Sequence, residues 1–133
     1  MPTAPVPLPE GYHSVNPYIV VDGAERLIEF LVVVFGGVEQ RRILRADGRV
    51  DHADVRIGDS LVMLSEASDA YPARPCVHYC YVDDVDTAYR AALAAGARSI
   101  LAPADQPYGD RTCGFVDPFG NRRWVATHLR DFT

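Results

Sequence analysis

Lysine is absent from this chain. All 13 basic residues are arginine, 18 acidic residues outnumber them, and the net charge is −5, with a pI near 5.2. A nucleic-acid partner calls for a basic face, so that class is excluded. The two arginine pairs, Arg41-Arg42 and Arg122-Arg123, are too small for such a patch and read as solvated strand faces or edges. Long apolar runs are lacking too. The longest, residues 31–35, falls far short of the ~20 residues of a membrane-crossing helix, so no membrane partner is expected. No charged-then-apolar leader pattern opens the sequence. Residues 1–13 instead carry Pro2, Pro5, Pro7 and Pro9, with His13 at the end, and are expected to form a loose or extended arm. A cytoplasmic location is expected. Cysteine is sparse and odd in number: Cys76, Cys80 and Cys113 read as reduced thiols. On a strand Cys76 and Cys80 would lie ~13 Å apart at ~3.3 Å per residue, too far for one zinc that needs each sulfur within ~2.3 Å. They are expected to be small buried apolar residues. A nucleophile elbow, a phosphate loop and a dinucleotide fingerprint are all missing.

The chain has 133 residues, of which 48% are hydrophobic. That length suits one domain or two small modules sharing a core. Residues 16–21 are rich in β-formers, with Pro17 near the start where proline is tolerated. Asp22 offers an N-cap to a helix over residues 24–35, where Leu27, Ile28, Leu31, Val34 and Phe35 recur at helical spacing. Gly36-Gly37 supplies the stop. Val32 and Val33 would face outward on this helix, either as a tolerated patch or as a subunit contact. Strands follow over residues 38–45, 49–57 and 61–65. Asp47-Gly48 marks a hairpin between the first two, and Gly58-Asp59 a turn between the next two. After a loop over residues 66–75 the pattern restarts. A strand over residues 77–82 leads to a helix over 85–95, capped by Asp83 or Asp84 and ended by Gly96. Strands over 98–101, 112–116 and 122–128 follow, with a loop at 103–109 and a turn at 117–121.

The order β-α-β-β-β thus occurs twice, and residues mark the repeat. Val20-Val21-Asp22-Gly23 aligns with Tyr81-Val82-Asp83-Asp84, and Phe35-Gly36-Gly37 with Ala95-Gly96-Ala97. Such units cannot bury an apolar face alone. The expected class is α+β: two βαβββ modules, residues 14–66 and 76–128, in one domain over 14–128, with a tail at 129–133. They would form a curved mixed sheet around a cleft, helices outside.

With that order, the motifs Asp22-Gly23, His52-Ala53-Asp54-Val55-Arg56-Ile57-Gly58-Asp59-Ser60, Tyr81-Val82-Asp83-Asp84-Val85-Asp86, Tyr108-Gly109-Asp110-Arg111 and Asp117-Pro118-Phe119-Gly120 resemble the vicinal oxygen chelate superfamily. This is the glyoxalase/bleomycin-resistance/dioxygenase group, and its PhnB-like branch is the nearest in pattern. Such a fold hosts isomerases, dioxygenases, lyases and drug-binding proteins. The resemblance puts the family's four metal-ligating positions on Asn16, Met63, Val77 and Trp124. Val77 lies 61 residues beyond Asn16, and Trp124 lies 61 beyond Met63, the spacing of the repeat itself. Valine and tryptophan offer no ligating atom, and methionine only a soft thioether. No metal and no cofactor are therefore expected. His78 neighbours Val77, but a one-residue slip turns a side chain to the other sheet face, and His78 reads as a packing histidine beside Cys80 and Val82.

Strand alternation puts Tyr18, Leu61, Met63, Tyr79, Tyr81 and Trp124 on the inward faces, with Tyr71, Tyr108 and Arg111 at the rims. Buried tyrosine hydroxyls and an indole N–H need partners, so a group of them suits a ligand surface better than a plain core. Arg111 could contact a ligand or pair with Asp110. His52 and Asp54 share a face and could pair in a fold role or a site; His128 reads as exposed. The leading expectation is a metal-free small-molecule binder of the bleomycin-resistance type. It would hold a planar or aromatic, antibiotic-like ligand on Tyr18, Met63, Tyr79, Tyr81, Tyr108, Arg111 and Trp124. The alternative is a superfamily enzyme, either with a displaced metal site drawn from His52, Glu66, His78 or His128, or with acid/base chemistry through tyrosine or aspartate. A homodimer is expected in both cases.

Overall fold

The alternating and helical patterns resolve into two copies of one element order. In the first module these are β1 (Tyr18–Val21), α1 (Ala24–Phe35), β2 (Val38–Leu44), β3 (Val50–Ile57) and β4 (Ser60–Glu66). In the second they are β5 (Val77–Tyr81), α2 (Val85–Ala94), β6 (Arg98–Asp105), β7 (Asp110–Val116) and β8 (Arg122–His128). The computed structural model describes residues 7–131. The part of the proline-rich arm at residues 1–6 and the end of the tail at 132–133 lie outside the described residues.

Each module is a four-stranded mixed sheet, ordered β1-β4-β3-β2 in the first and β5-β8-β7-β6 in the second. The α+β class and the two βαβββ modules are as expected, with the strands forming two separate sheets. In each, the opening strand runs parallel to the closing one. Tyr18 stands opposite Met63, and Tyr79 opposite Trp124, so the repeat of the sequence is also a repeat of register. One face of each sheet is covered by helix. Ile19, Val21, Ala53, Val55, Val62 and Leu64 meet α1 there, and Cys113, Phe115 and Val125 lie in the same continuous cluster with Val85, Ala88 and Ala92 of α2. Phe30 of α1 joins the halves, with its ring 6.3 Å from Phe115 and 6.4 Å from Phe119.

Several local expectations need correction. Asp22 does not cap α1. Gly23 occupies the N-cap with φ 97 and offers no side chain, and the Glu66 carboxylate, from the end of β4, accepts from Gly23 N and Ala24 N instead. Asp84, by contrast, caps α2 as a local N-cap should, accepting from Asp86 N and Thr87 N. The first strand begins at Tyr18; Asn16 lies before it, its amide tied to His13 in a local turn. The strand β6 runs on through Pro103 to Asp105, with register breaks after Ser99 and Leu101. An outer strand tolerates both proline and bulges, since one side needs no partner.

Arg122-Arg123 is not a solvated pair. Arg122 is exposed, but Arg123 is 3% exposed and donates from Nε to Asp117 at 2.9 Å. Asp117 also accepts from Phe119 N, Asn121 N and Asn121 Nδ2, so the Asp-Pro-Phe-Gly-Asn turn folds around this one buried carboxylate. Asn121 in turn accepts from Cys76 N and fixes the start of β5. Cys76 and Cys80 are half-buried rather than buried; Cys113 is fully buried, and burial pushes its thiol up to about 11.

Candidate functional site

The sheet faces turned away from the helices carry the tyrosines. Tyr18, Tyr79 and Tyr81 are 52%, 46% and 60% exposed, although strands normally place such rings inward. On the second sheet they are held by one carboxylate. Asp110, 3% exposed at the start of β7, accepts through Oδ2 from Tyr79 Oη at 2.7 Å and from Tyr81 Oη at 2.9 Å. Its Oδ1 meets His128 Nδ1 at 2.8 Å, and His128 Nε2 meets Asp131 at 2.8 Å. Thr112 Oγ1 lies 3.2 Å from Tyr79 Oη and 3.5 Å from Tyr108 Oη, bringing the Tyr108 turn to the same patch. The two clamped rings stand 5.3 Å apart at 56°.

The electrostatics follow from these contacts. Asp110 is held below the ordinary carboxylate range, by His128 first and the tyrosines next. His128 is raised above its ordinary 6.5 by Asp110 and Asp131. Tyr79 is raised chiefly by burial, and Tyr81 chiefly by its bond to Asp110. Both phenols therefore keep their protons and donate them to Asp110.

Trp124 completes this face. It stands beside Tyr79 and opposite Gly114 in β7. A Cβ added at Gly114 would sit 2.3 Å from Trp124 Cζ3, so the indole lies across bare backbone and is half-buried there. Tyr79, Tyr81, Tyr108 and Trp124 are thus brought together. Tyr18 and Met63 pair on the first sheet, apart from them. There Tyr18 lines a depression with Val20, Ser65 and Tyr71. Its neighbours on the open face include a second clamped carboxylate: buried Asp54 accepts from Tyr12 and lies 2.6 Å from His52 Nε2, the His52–Asp54 pairing that alternation suggests.

Arg111 leaves the set. Its guanidinium bonds Asp86 of α2 at 2.9 and 3.0 Å and Asp105 at 3.0 Å. It therefore faces the helix side, opposite Asp110, and fastens α2 to the second sheet; the expected pairing with Asp110 is replaced by these two. What sequence reasoning passed over is Asp110 as the clamp. Running the alternation of β7 two residues back from Thr112 would have put Asp110 on the face of Tyr79 and Trp124.

The residues do not fit the divalent metal that the fold implies. Val77 and Trp124 present no donor, and Asn16 is engaged off the strand. The histidines and glutamate considered for a displaced site are scattered: His52 is on Asp54, Glu66 on the start of α1, His78 on Arg123 and His128 on Asp110. No group of three or more His, Cys, Asp or Glu able to hold a metal occurs among the described residues. Nor, among them, is any helix long and apolar enough to cross a membrane.

A model of the Glyoxalase/Bleomycin resistance protein/Dioxygenase superfamily matches residues 12–125. The protein Rv0887c of Mycobacterium tuberculosis is 34% identical over 129 residues, covering 89% of this chain and 76% of that protein. Among solved structures, TioX from Micromonospora is 27% identical with a TM-score of 0.68, over 87% of this chain and all of TioX. A PhnB protein from Bacillus cereus, at 13% identity, has a TM-score of 0.70 over 86% of this chain and 99% of its own, a likeness of fold alone.

Proposed function

Since this chain belongs to the Glyoxalase/Bleomycin resistance protein/Dioxygenase superfamily, we propose that it is a metal-free small-molecule binding protein, holding a planar or aromatic, antibiotic-like ligand against its tyrosine–tryptophan face. The observation that carries this reading is the Asp110 clamp. Free tyrosines lose rotamer freedom on binding, but Tyr79 and Tyr81 are fixed beforehand through their hydroxyls, and Trp124 is laid flat by Gly114. Preorganised rings lower the ordering cost of binding. Each stacked pair contributes about 0.5–1.5 kcal/mol beyond area burial.

The acid/base alternative is less well supported. Both ring nitrogens of His128 are taken by carboxylates, and the raised phenols of Tyr79 and Tyr81 are poor acids and bases near neutrality. The half-exposed rings and the exposed Val77 of β5 also suit a second copy of the chain that covers this face and closes the ligand in. Free Cys76, Cys80 and Cys113 support a cytoplasmic location.

Trp124 is the only tryptophan, so planar aromatic compounds should quench its fluorescence saturably. Replacing it, Trp124→Ala, should weaken binding about 2- to 12-fold. Unchanged affinity in that variant would sink the stacking role, and a stoichiometric divalent metal surviving dialysis would sink the metal-free part. Sedimentation should show a dimer; a monomer at all concentrations removes the second copy.

A further inference from the structure

The helix side of the molecule has an open cavity of its own, of about 410 Å³. Three segments meet there. From α1 come Arg26, Glu29, Phe30 and Val33, which fall on one stripe of the helix at spacings of three and four. The end of α2 supplies Ala95 and Gly96, and the Asp117 turn supplies Pro118 and Phe119. None of these residues lies on the strands that carry Tyr79, Tyr81 and Trp124.

The floor is apolar and preformed. Phe30 is 4% exposed and stands edge-on to Phe119, with ring centres 6.4 Å apart at 83°. The Phe119 backbone is fixed by its N–H bond to Asp117. Pro118 closes on Gly96, where a Cβ would come 3.5 Å from its Cγ. Val33, 64% exposed, leaves one wall apolar and uncovered. The rim is charged. Glu25 on the same helix pairs with Arg42, but Arg26 and Glu29 form no ion pair among the described residues. Arg26 rests instead over the Phe119 ring, its guanidinium carbon 5.4 Å from the centre. Three positions apart on a helix, Arg26 and Glu29 can both reach one small object. The end of α2 adds the negative pole of a helix dipole.

We propose that this cavity binds a free α-amino acid with an apolar side chain. Its carboxylate pairs with Arg26, its ammonium with Glu29 and the α2 terminus, and its side chain lies against Phe30, Val33 and Phe119. Charge complementarity selects that chemistry. An acid without the amine would meet Glu29 and the helix terminus unbalanced, and an amine without the acid would meet Arg26. A polar side chain would gain nothing from the rings and the valine. The volume lies toward the small end of the usual range of about 300–1,000 Å³, which suits a molecule of this size. The assignment is independent of the tyrosine–tryptophan face.

L-leucine, 3-methylbutylamine and 4-methylpentanoate share one apolar body and carry, in turn, both charges, the ammonium alone and the carboxylate alone. Each is titrated at pH 7 into the nitrogen-15-labelled full chain. Leucine at millimolar concentration is expected to shift the backbone amides of Ala95, Gly96 and Phe119 saturably, and to bind at least about threefold tighter than either analogue. Arg26→Gln should narrow its lead over 3-methylbutylamine, and Glu29→Gln its lead over 4-methylpentanoate. Both positions are exposed, so the variants should fold, with far-ultraviolet circular dichroism as the check. Leucine has no ring to stack, so Trp124 quenching by aromatic compounds succeeds or fails separately. No saturable shift, an analogue that binds as tightly as leucine, or leads that survive both substitutions overturn the proposal. So does a dimer that protects the Gly96 and Phe119 amides from exchange and leaves leucine without effect, which would make a second copy the occupant.

Discussion

Trp124 and Gly114 depend on each other. The indole can lie flat only because the facing residue lacks a Cβ, and Gly114→Ala puts a methyl where the ring now is. The ring must lift, at a cost of about 1–3 kcal/mol from overpacking. Urea unfolding should register that loss, and the near-ultraviolet circular dichroism of the single tryptophan should change with it; an unaltered spectrum would mean that the ring does not rest on the backbone. The histidines make a second prediction, with opposite signs at two positions. His128 is raised above 6.5 by Asp110 and Asp131, so its stabilisation is complete below 6.5 and fades as pH rises through the higher folded value. His78 is lowered, so the unfolded chain takes up its proton first, and stability falls as pH drops through 6.5 toward the lower folded value. An NMR titration should find the two midpoints on opposite sides of 6.5. Asp110→Asn should bring His128 back toward it and leave His78 in place.

The helix α1 starts on a residue that cannot cap it, and a side chain more than forty positions away does the work. Glu66→Ala should therefore cost about 0.5–2 kcal/mol, the range for a lost N-cap, whereas Asp22→Ala should stay within about 0.5 kcal/mol; equal effects in denaturant unfolding would restore Asp22 as the cap. The contrast with Asp84, which caps α2 from its own sequence, shows where the chain was legible. Periodicity, the glycine stops and the repeat located every strand and both helices, because those signals are local or recur at a fixed spacing. Alternation likewise grouped Tyr79, Tyr81 and Trp124, and paired His52 with Asp54. Contacts between distant segments left no local trace. Glu66 reaching Gly23, Asp86 drawing Arg111 to the helix side, and Arg123 turning inward to Asp117 each join positions whose proximity only the folded sheets create. A charged residue on a strand announces which face it takes, not whether that face is covered.

Both modules share one apolar cluster, and Phe30 is its bridge, touching Phe115 and Phe119 from the other half. Truncating it, Phe30→Ala, should cost about 3–5 kcal/mol and should lower stability in a single transition followed equally by tryptophan fluorescence and far-ultraviolet circular dichroism. Two separated transitions would mean that the modules unfold independently. Strand order adds a matter of timing. Within its own sheet β1 pairs only with β4, and β5 only with β8. As the chain leaves the ribosome, the first strand must wait for residue 66, and the fifth for residue 128, before either has a neighbour in its sheet. Half of the tyrosine face therefore belongs to a strand that stays unpartnered until β8 has been made, so this face can assemble only after the strand that closes the second module.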